Sequence, residues 1–197
     1  MLPQVTSRVL SRTSYHETVE EANRDHESIS CELWEDSRVV TLLGPSDSRE
    51  QTSRSLDAVG TLPSEPCTWS SIDGVKVCWL GPNRWLTLER FGDDGTIDFD
   101  FGLSLPPDIT FVDTTGNYTV FSLTGSSAKR LLQKSCSYDF HESVFSTNTC
   151  VLTTFARIQA LVVSGENDGV ELLVRRSYSD YAYRWIVDAS REFGFAV

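Results

Sequence analysis

Apolar residues alternate with polar residues along most of the chain after residue 68, which is the pattern of β-strands with one buried face. Asp73-Gly74 separates two of these runs, and this dipeptide supplies the positive φ of a tight hairpin turn. The pattern predicts strands at 38–44, 69–72, 75–80, 85–89, 109–113, 118–124, 149–155, 158–163 and 170–174. Many short strands joined by turns are typical of antiparallel sheets.

Two segments in the second half of the chain carry helical periodicity instead. A short helix is predicted over 126–134, where a serine can cap the first turn and small and leucine side chains share one face. Apolar residues between 178 and 193 recur at three- and four-residue spacing, so they form one stripe of a longer helix. Ser177, followed by Asp180 three residues later, predicts the capped start of that helix.

The order of these elements predicts an α+β fold. The second half runs strand, helix, strand, strand, strand, helix, a ferredoxin-like β-α-β-β-β-α order, and amphipathic helices of this kind pack on one face of an antiparallel sheet. We predict three parts: a polar N-terminal arm over 1–30, a β-rich part over 31–108 with a short helix within 47–58, and an α+β part over 109–197. The arm is too polar to fold alone.

The charge of the chain excludes some partners. Seventeen Lys and Arg residues against twenty-eight Asp and Glu residues give a net charge of -11. Nucleic acids and anionic membranes attract basic surfaces, so we expect neither as the main partner. No run approaches the roughly 18 apolar residues that a membrane span needs, and the first residues form no apolar signal segment.

The cysteines point to a reducing compartment. Five Cys residues are an odd number, they lie far apart, and none forms a C-x-x-C pair. This spacing predicts neither a disulfide framework nor a zinc site. We therefore expect a cytoplasmic protein with buried thiols.

The chain offers no recognisable catalytic motif. Phosphate-binding glycine loops, the nucleophile elbow and the H-E-x-x-H zinc motif are all absent from the sequence. A Cys136–His141 pair is conceivable as nucleophile and base, but spacing alone does not build one. The sequence therefore predicts no catalytic, cofactor-binding or metal-binding residue in this chain.

Aromatic and arginine residues are the better candidates for function, because these types are enriched in protein interfaces and the chain holds fourteen Arg against three Lys. Two tryptophans bracket a Gly-Pro turn, where a core role and an interface role are equally open. An Arg-Arg pair ends the strand before the closing helix, as a docking pair or as a solvated strand end. The candidate partner interface comprises Trp79, Pro82, Arg84, Trp85, Arg175 and Arg176.

Several segments in order resemble the gamma subunit family of heterotetrameric sarcosine oxidase. They are Trp79-Leu-Gly-Pro-Asn-Arg-Trp-Leu, the run from Phe121-Ser-Leu-Thr-Gly-Ser-Ser-Ala to Ser135-Cys-Ser-Tyr-Asp, and Val174-Arg-Arg-Ser-Tyr-Ser-Asp-Tyr with the closing helix. The resemblance covers residues 69–197. The chain departs from the family pattern at Asn83-Arg84, where acidic residues are expected, and at Ser135, where a glycine is usual.

The resemblance implies a fold, partners and cofactors. It implies a fold like that of a fragment of the folate-binding aminomethyltransferase of the glycine cleavage system. It also implies a non-catalytic subunit that docks on alpha, beta and delta subunits, where sarcosine is oxidatively demethylated to glycine. FAD, FMN, NAD and tetrahydrofolate would belong to the large chains and a zinc ion to the delta chain, with no cofactor in this one.

Two alternatives stay open on the sequence. The parent complex could be a related N-methyl amino acid dehydrogenase, for example one acting on N-methylglutamate. The chain could instead be a free-standing folate-dependent enzyme like the aminomethyltransferase. Such an enzyme needs a buried carboxylate for the pterin ring, and Asp113, after an apolar strand, is the candidate.

Overall fold

The computed structural model describes residues 29–34, 37–44, 62–72, 74–90, 109–165, 169–193 and 195–196. Within these residues the chain forms eleven strands and two α-helices. The strands are β1 (Ile29–Leu33), β2 (Ser37–Leu43), β3 (Trp69–Ile72), β4 (Val75–Gly81), β5 (Arg84–Arg90), β6 (Thr110–Asp113), β7 (Tyr118–Thr124), β8 (Cys150–Phe155), β9 (Ile158–Ser164), β10 (Val170–Arg175) and β11 (Phe195–Ala196). The helices are α1 (Ala128–Ser135) and α2 (Ser179–Ser190), and 3-10 turns lie at Thr115–Asn117 and Arg176–Tyr178.

The strands form two sheets. The six-stranded sheet has the order β11-β1-β7-β10-β9-β8, and the five-stranded sheet has the order β3-β4-β5-β2-β6. Every pairing is antiparallel except that of β1 with β11. Strand β1 lies between β11 and β7, while β6 pairs with β2, so each joins the sheet formed mainly by the other half of the sequence. The division of the chain at residue 108 stays a prediction.

Both helices cover one face of the six-stranded sheet. Leu131 of α1 and Ile186 of α2 pack in one cluster with Phe121, Leu172 and Phe155 of the sheet, and all five are fully buried. A large apolar side chain buried in this way contributes roughly 1.5–3 kcal/mol to folding. The predicted α+β fold, with antiparallel sheets and helices on one face, is confirmed.

The other face of the six-stranded sheet packs on the five-stranded sheet. Val39 and Leu88 from one sheet meet Val120, Leu161 and Leu173 from the other in a second buried cluster. This arrangement follows from the two-residue period of each strand, which sends neighbouring side chains to opposite faces. The sheet in the middle is therefore covered on both faces, by helices and by the second sheet.

The local predictions hold for most elements, with two corrections. Ser127 lies at the N-cap position of α1, but its side chain makes no capping hydrogen bond. Gly74 has a φ of 84° in the β3–β4 hairpin, as the Asp-Gly turn requires. The capped start predicted at Ser177 is wrong, because α2 begins at Ser179 after a 3-10 turn. The hydroxyl of Ser179 donates to the Arg176 carbonyl at 2.9 Å. The helix predicted within 47–58 and the arm before residue 29 lie outside the described residues.

Candidate functional site

The turn between β4 and β5 divides the predicted interface residues into buried and exposed ones. Trp85 is 3% exposed and its Nε1 donates to the Pro63 carbonyl at 2.8 Å, so its indole is a core side chain. Trp85 belongs to a buried apolar cluster on the outer face of the five-stranded sheet, and Trp79 is half-buried against that cluster. Pro82 and Arg84 are exposed, and they are the part of this turn that a partner could contact.

The second predicted pair lies elsewhere on the molecule. Arg175 and Arg176 are exposed at the C-terminal end of β10, and the Arg175 guanidinium stacks 4.7 Å from the centre of the Tyr118 ring. Arg84 is the strand-pairing partner of Leu43, the last residue of β2. In the turn that precedes Tyr118, Thr115 Oγ1 accepts a hydrogen bond from the backbone N–H of Val39, four residues before Leu43 in β2. Four residues of strand span roughly 13 Å, so the two arginine groups form separate patches.

Asp113 is an exposed residue that stabilises a turn. Its Oδ1 accepts a hydrogen bond from the backbone N–H of Thr115 at 2.9 Å. Hydrogen bonds from Thr115 lower the pKa of the Asp113 carboxyl below its usual 3.8. The structure does not place this carboxylate in a buried site, as a pterin contact would require.

Sequence reasoning missed a polar group between the two sheets. Lys76 Nζ lies 2.6 Å from Glu171 Oε1, and the two side chains are 17% and 9% exposed. The Lys76 ammonium also lies over the Trp69 ring, 4.9 Å from its centre. Trp69 Nε1 donates to Ser164 Oγ at 2.9 Å. The alternation of β4 and β10 predicts which residues share a face, but not that a lysine and a glutamate meet in the interior.

Three of the thiols, those of Cys31, Cys78 and Cys150, are buried, and those of Cys67 and Cys136 are partly exposed. All five cysteines lie within the described residues and are free. Burial raises the pKa of the Cys136 thiol to about 12, so it stays protonated at neutral pH. His141 is exposed, and its Nδ1 lies 2.8 Å from Ser143 Oγ. The structure therefore does not build the conceivable Cys136–His141 pair.

The described residues contain neither a metal-binding cluster nor a membrane-spanning helix. Across the ranges that the structure describes, no three His, Cys, Asp or Glu side chains are grouped so that they could hold a metal ion. Neither α-helix in those ranges has the length and apolarity that would carry it across a membrane.

The two-sheet α+β fold with one helical face defines a class shared with known proteins. A chain of heterotetrameric sarcosine oxidase from Corynebacterium sp. U-96, in complex with pyrrole 2-carboxylate, superposes with a TM-score of 0.74 and 23% identity over 92% of this chain and 94% of that one. The glycine cleavage system aminomethyltransferase T from Bartonella henselae gives a TM-score of 0.56 and 10% identity over 88% of this chain and 48% of that chain. The expected likeness to a fragment of the aminomethyltransferase fold is confirmed.

The chain belongs to the sarcosine oxidase gamma subunit family, whose model matches residues 58–192. It is 32% identical over 139 residues to sarcosine oxidase subunit gamma of Corynebacterium sp. (strain P-1), covering 70% of this chain and 68% of the relative. The subunits gamma of Arthrobacter sp. and of Corynebacterium sp. (strain U-96) are each 30% identical. Those two matches cover 61% and 64% of this chain and 59% and 60% of the relatives. The family resemblance seen in the sequence is confirmed.

Proposed function

We propose that this chain is the gamma subunit of a heterotetrameric sarcosine oxidase and works by docking on alpha, beta and delta subunits. The observation that carries this proposal is the family match over residues 58–192, which contains α1, α2 and every strand from β3 to β10. The family name favours sarcosine, and not N-methylglutamate, as the substrate of the parent complex. We place the complex in the cytoplasm.

In this proposal the redox chemistry belongs to the partner subunits. FAD, FMN and NAD bind there, tetrahydrofolate accepts the one-carbon unit there, and sarcosine becomes glycine. Asp113 does not fit a folate contact, because it is exposed and its carboxylate is hydrogen-bonded to the turn that follows. This chain supplies a surface on which the partners assemble. The candidate contact residues are the exposed Pro82 and Arg84 of the β4–β5 turn and the exposed pair Arg175 and Arg176.

Co-expression tests this function. The tagged chain is produced with the alpha, beta and delta subunits of a sarcosine oxidase from the same organism and analysed by size-exclusion chromatography with flavin absorbance. We expect the chain to elute with the flavin in one peak that oxidises sarcosine. Elution of the chain as a separate 22.1 kDa species, while the other subunits assemble without it, would contradict the proposal.

A further inference from the structure

One end of the six-stranded sheet presents a concentration of arginine and tyrosine. Arg175 ends β10, and Arg157 immediately precedes β9, the neighbouring antiparallel strand, so both lie at the same end of the sheet. The 3-10 turn and first turn of α2 that follow β10 add further side chains. We call this the arginine–tyrosine surface, and it comprises Arg157, Arg175, Arg176, Tyr178 and Tyr181.

The side chains of this surface are exposed. Tyr178 is 48% exposed and Tyr181 is 41% exposed. In the part of the chain that the structure describes, no ion pair joins a carboxylate to Arg157, Arg175 or Arg176. These three exposed arginines contrast with the net charge of -11 of the whole chain. Asp180, the acidic residue in the first turn of α2, is paired with Arg184.

The backbone beneath Arg157 is strained and firmly held. Ala156 and Arg157 have φ values of 45° and 78°, in the left-handed region that favours glycine. The Ala156 N–H donates to the Ser135 carbonyl at 2.8 Å, and the Tyr181 hydroxyl donates to the Ala156 carbonyl. A glycine or asparagine at position 157 would relieve the turn. An arginine at a position that the backbone favours for glycine points to a use for its side chain.

We propose that the arginine–tyrosine surface docks on an acidic surface of a partner protein, a carboxylate-rich face of the large subunits. This inference rests on the proposed function and adds which face docks and what chemistry it meets. Guanidinium groups bind carboxylates through two parallel hydrogen bonds. Tyrosines beside them supply contact area at a small cost in side-chain entropy. The ring of Tyr118, 4.7 Å from the Arg175 guanidinium, holds that arginine in place before the partner arrives.

The test measures binding of this chain to the purified alpha–beta–delta subcomplex by biolayer interferometry at low and high salt. The variant replaces Arg157, Arg175 and Arg176 with glutamine, which keeps polar side chains at exposed positions. We expect roughly ten-fold weaker binding at low salt, and a smaller difference at high salt, because salt screens exposed charge pairs. The matched control is Arg191→Gln, at the far end of α2, which we expect to bind like the unmodified chain.

A second variant separates docking from folding. Arg157→Gly relieves the left-handed residue, so we expect Tm to rise by roughly 2 °C while binding weakens about two-fold. Asn148→Gly is its control, since Asn148 also has a positive φ, 64°, and begins the turn into β8 at the opposite end of that strand. Because asparagine already tolerates a positive φ, we expect this change to leave both Tm and affinity close to those of the unmodified chain.

The outcomes separate the two proposals. Binding by the unmodified chain, with weaker binding by the triple and Arg157→Gly variants, supports the docking surface. Equal binding by all variants overturns the surface and leaves the subunit function standing. No binding by the unmodified chain overturns the proposed function, and the docking surface with it.

Discussion

The ion pair between the two sheets gives the sharpest test of the fold. Lys76 and Glu171 meet at 2.6 Å, and no other described residue makes a hydrogen bond to Glu171 Oε2, which is buried, so the lysine is the main compensation for a buried carboxylate. Removing one partner of a buried pair costs about 3–5 kcal/mol. Because Lys76 keeps 17% of its side chain exposed, we expect Lys76→Met to cost about 3 kcal/mol, the lower end of that range. For a chain of this size that lowers Tm by roughly 6–12 °C.

Urea unfolding followed by tryptophan fluorescence measures this loss. The double variant Lys76→Met with Glu171→Leu should recover to within about 1 kcal/mol of the unmodified chain, since neither charge is then buried alone. Lys134→Met is the control, because Lys134 and Glu192 also pair at 2.9 Å but are 46% and 55% exposed. That change should cost under about 1 kcal/mol. Equal small losses for the Lys76 and Lys134 variants would refute the buried-pair reasoning.

Three further measurements test other parts of the structure. Tyr181→Phe removes the hydrogen bond to the Ala156 carbonyl and should lower the unfolding free energy by about 1 kcal/mol, measured by urea titration. Burial raises the pKa of Cys31 and of Cys136 from 9.0 to about 12, so their stabilising effect is complete below pH 9 and is lost as pH rises towards 12. The urea midpoint should therefore fall over that range, less steeply in the double alanine variant; identical slopes would contradict this. The pKa of Asp113 is lowered, so its contribution is present above pH 3.8 and lost at lower pH, and Asp113→Asn should flatten that acid-side decline.

Local patterns predicted the elements that depend on local chemistry. The β3–β4 hairpin follows from one glycine at positive φ, and the apolar stripe of α2 follows from helical spacing that buries Ala182, Ile186 and Ala189. Sheet membership could not be predicted in this way. Strand β1 pairs with β7, about ninety positions further along the chain, and no residue of β1 encodes that choice locally.

The candidate sites show the same limit. The residues of the Gly-Pro turn were predicted together, yet Trp85 lies in the core while Arg84 is exposed. Arg84 is the first residue of β5, next to the turn, whereas the four residues after it are buried on both faces of the strand. The Lys76–Glu171 contact joins residues 95 positions apart. A charged residue on an alternating strand ordinarily indicates a solvated face, so only the packing of two sheets reveals this pair as buried.

Native mass spectrometry of the complex purified through a tag on this chain tests the central claim most directly, that the protein is an assembly subunit whose partners carry the chemistry. We predict a single assembly in which one 22.1 kDa chain accompanies one alpha, one beta and one delta subunit, with flavin mass assigned to the larger chains. A tagged chain recovered alone, or one that itself retains a flavin or folate mass, would contradict that claim.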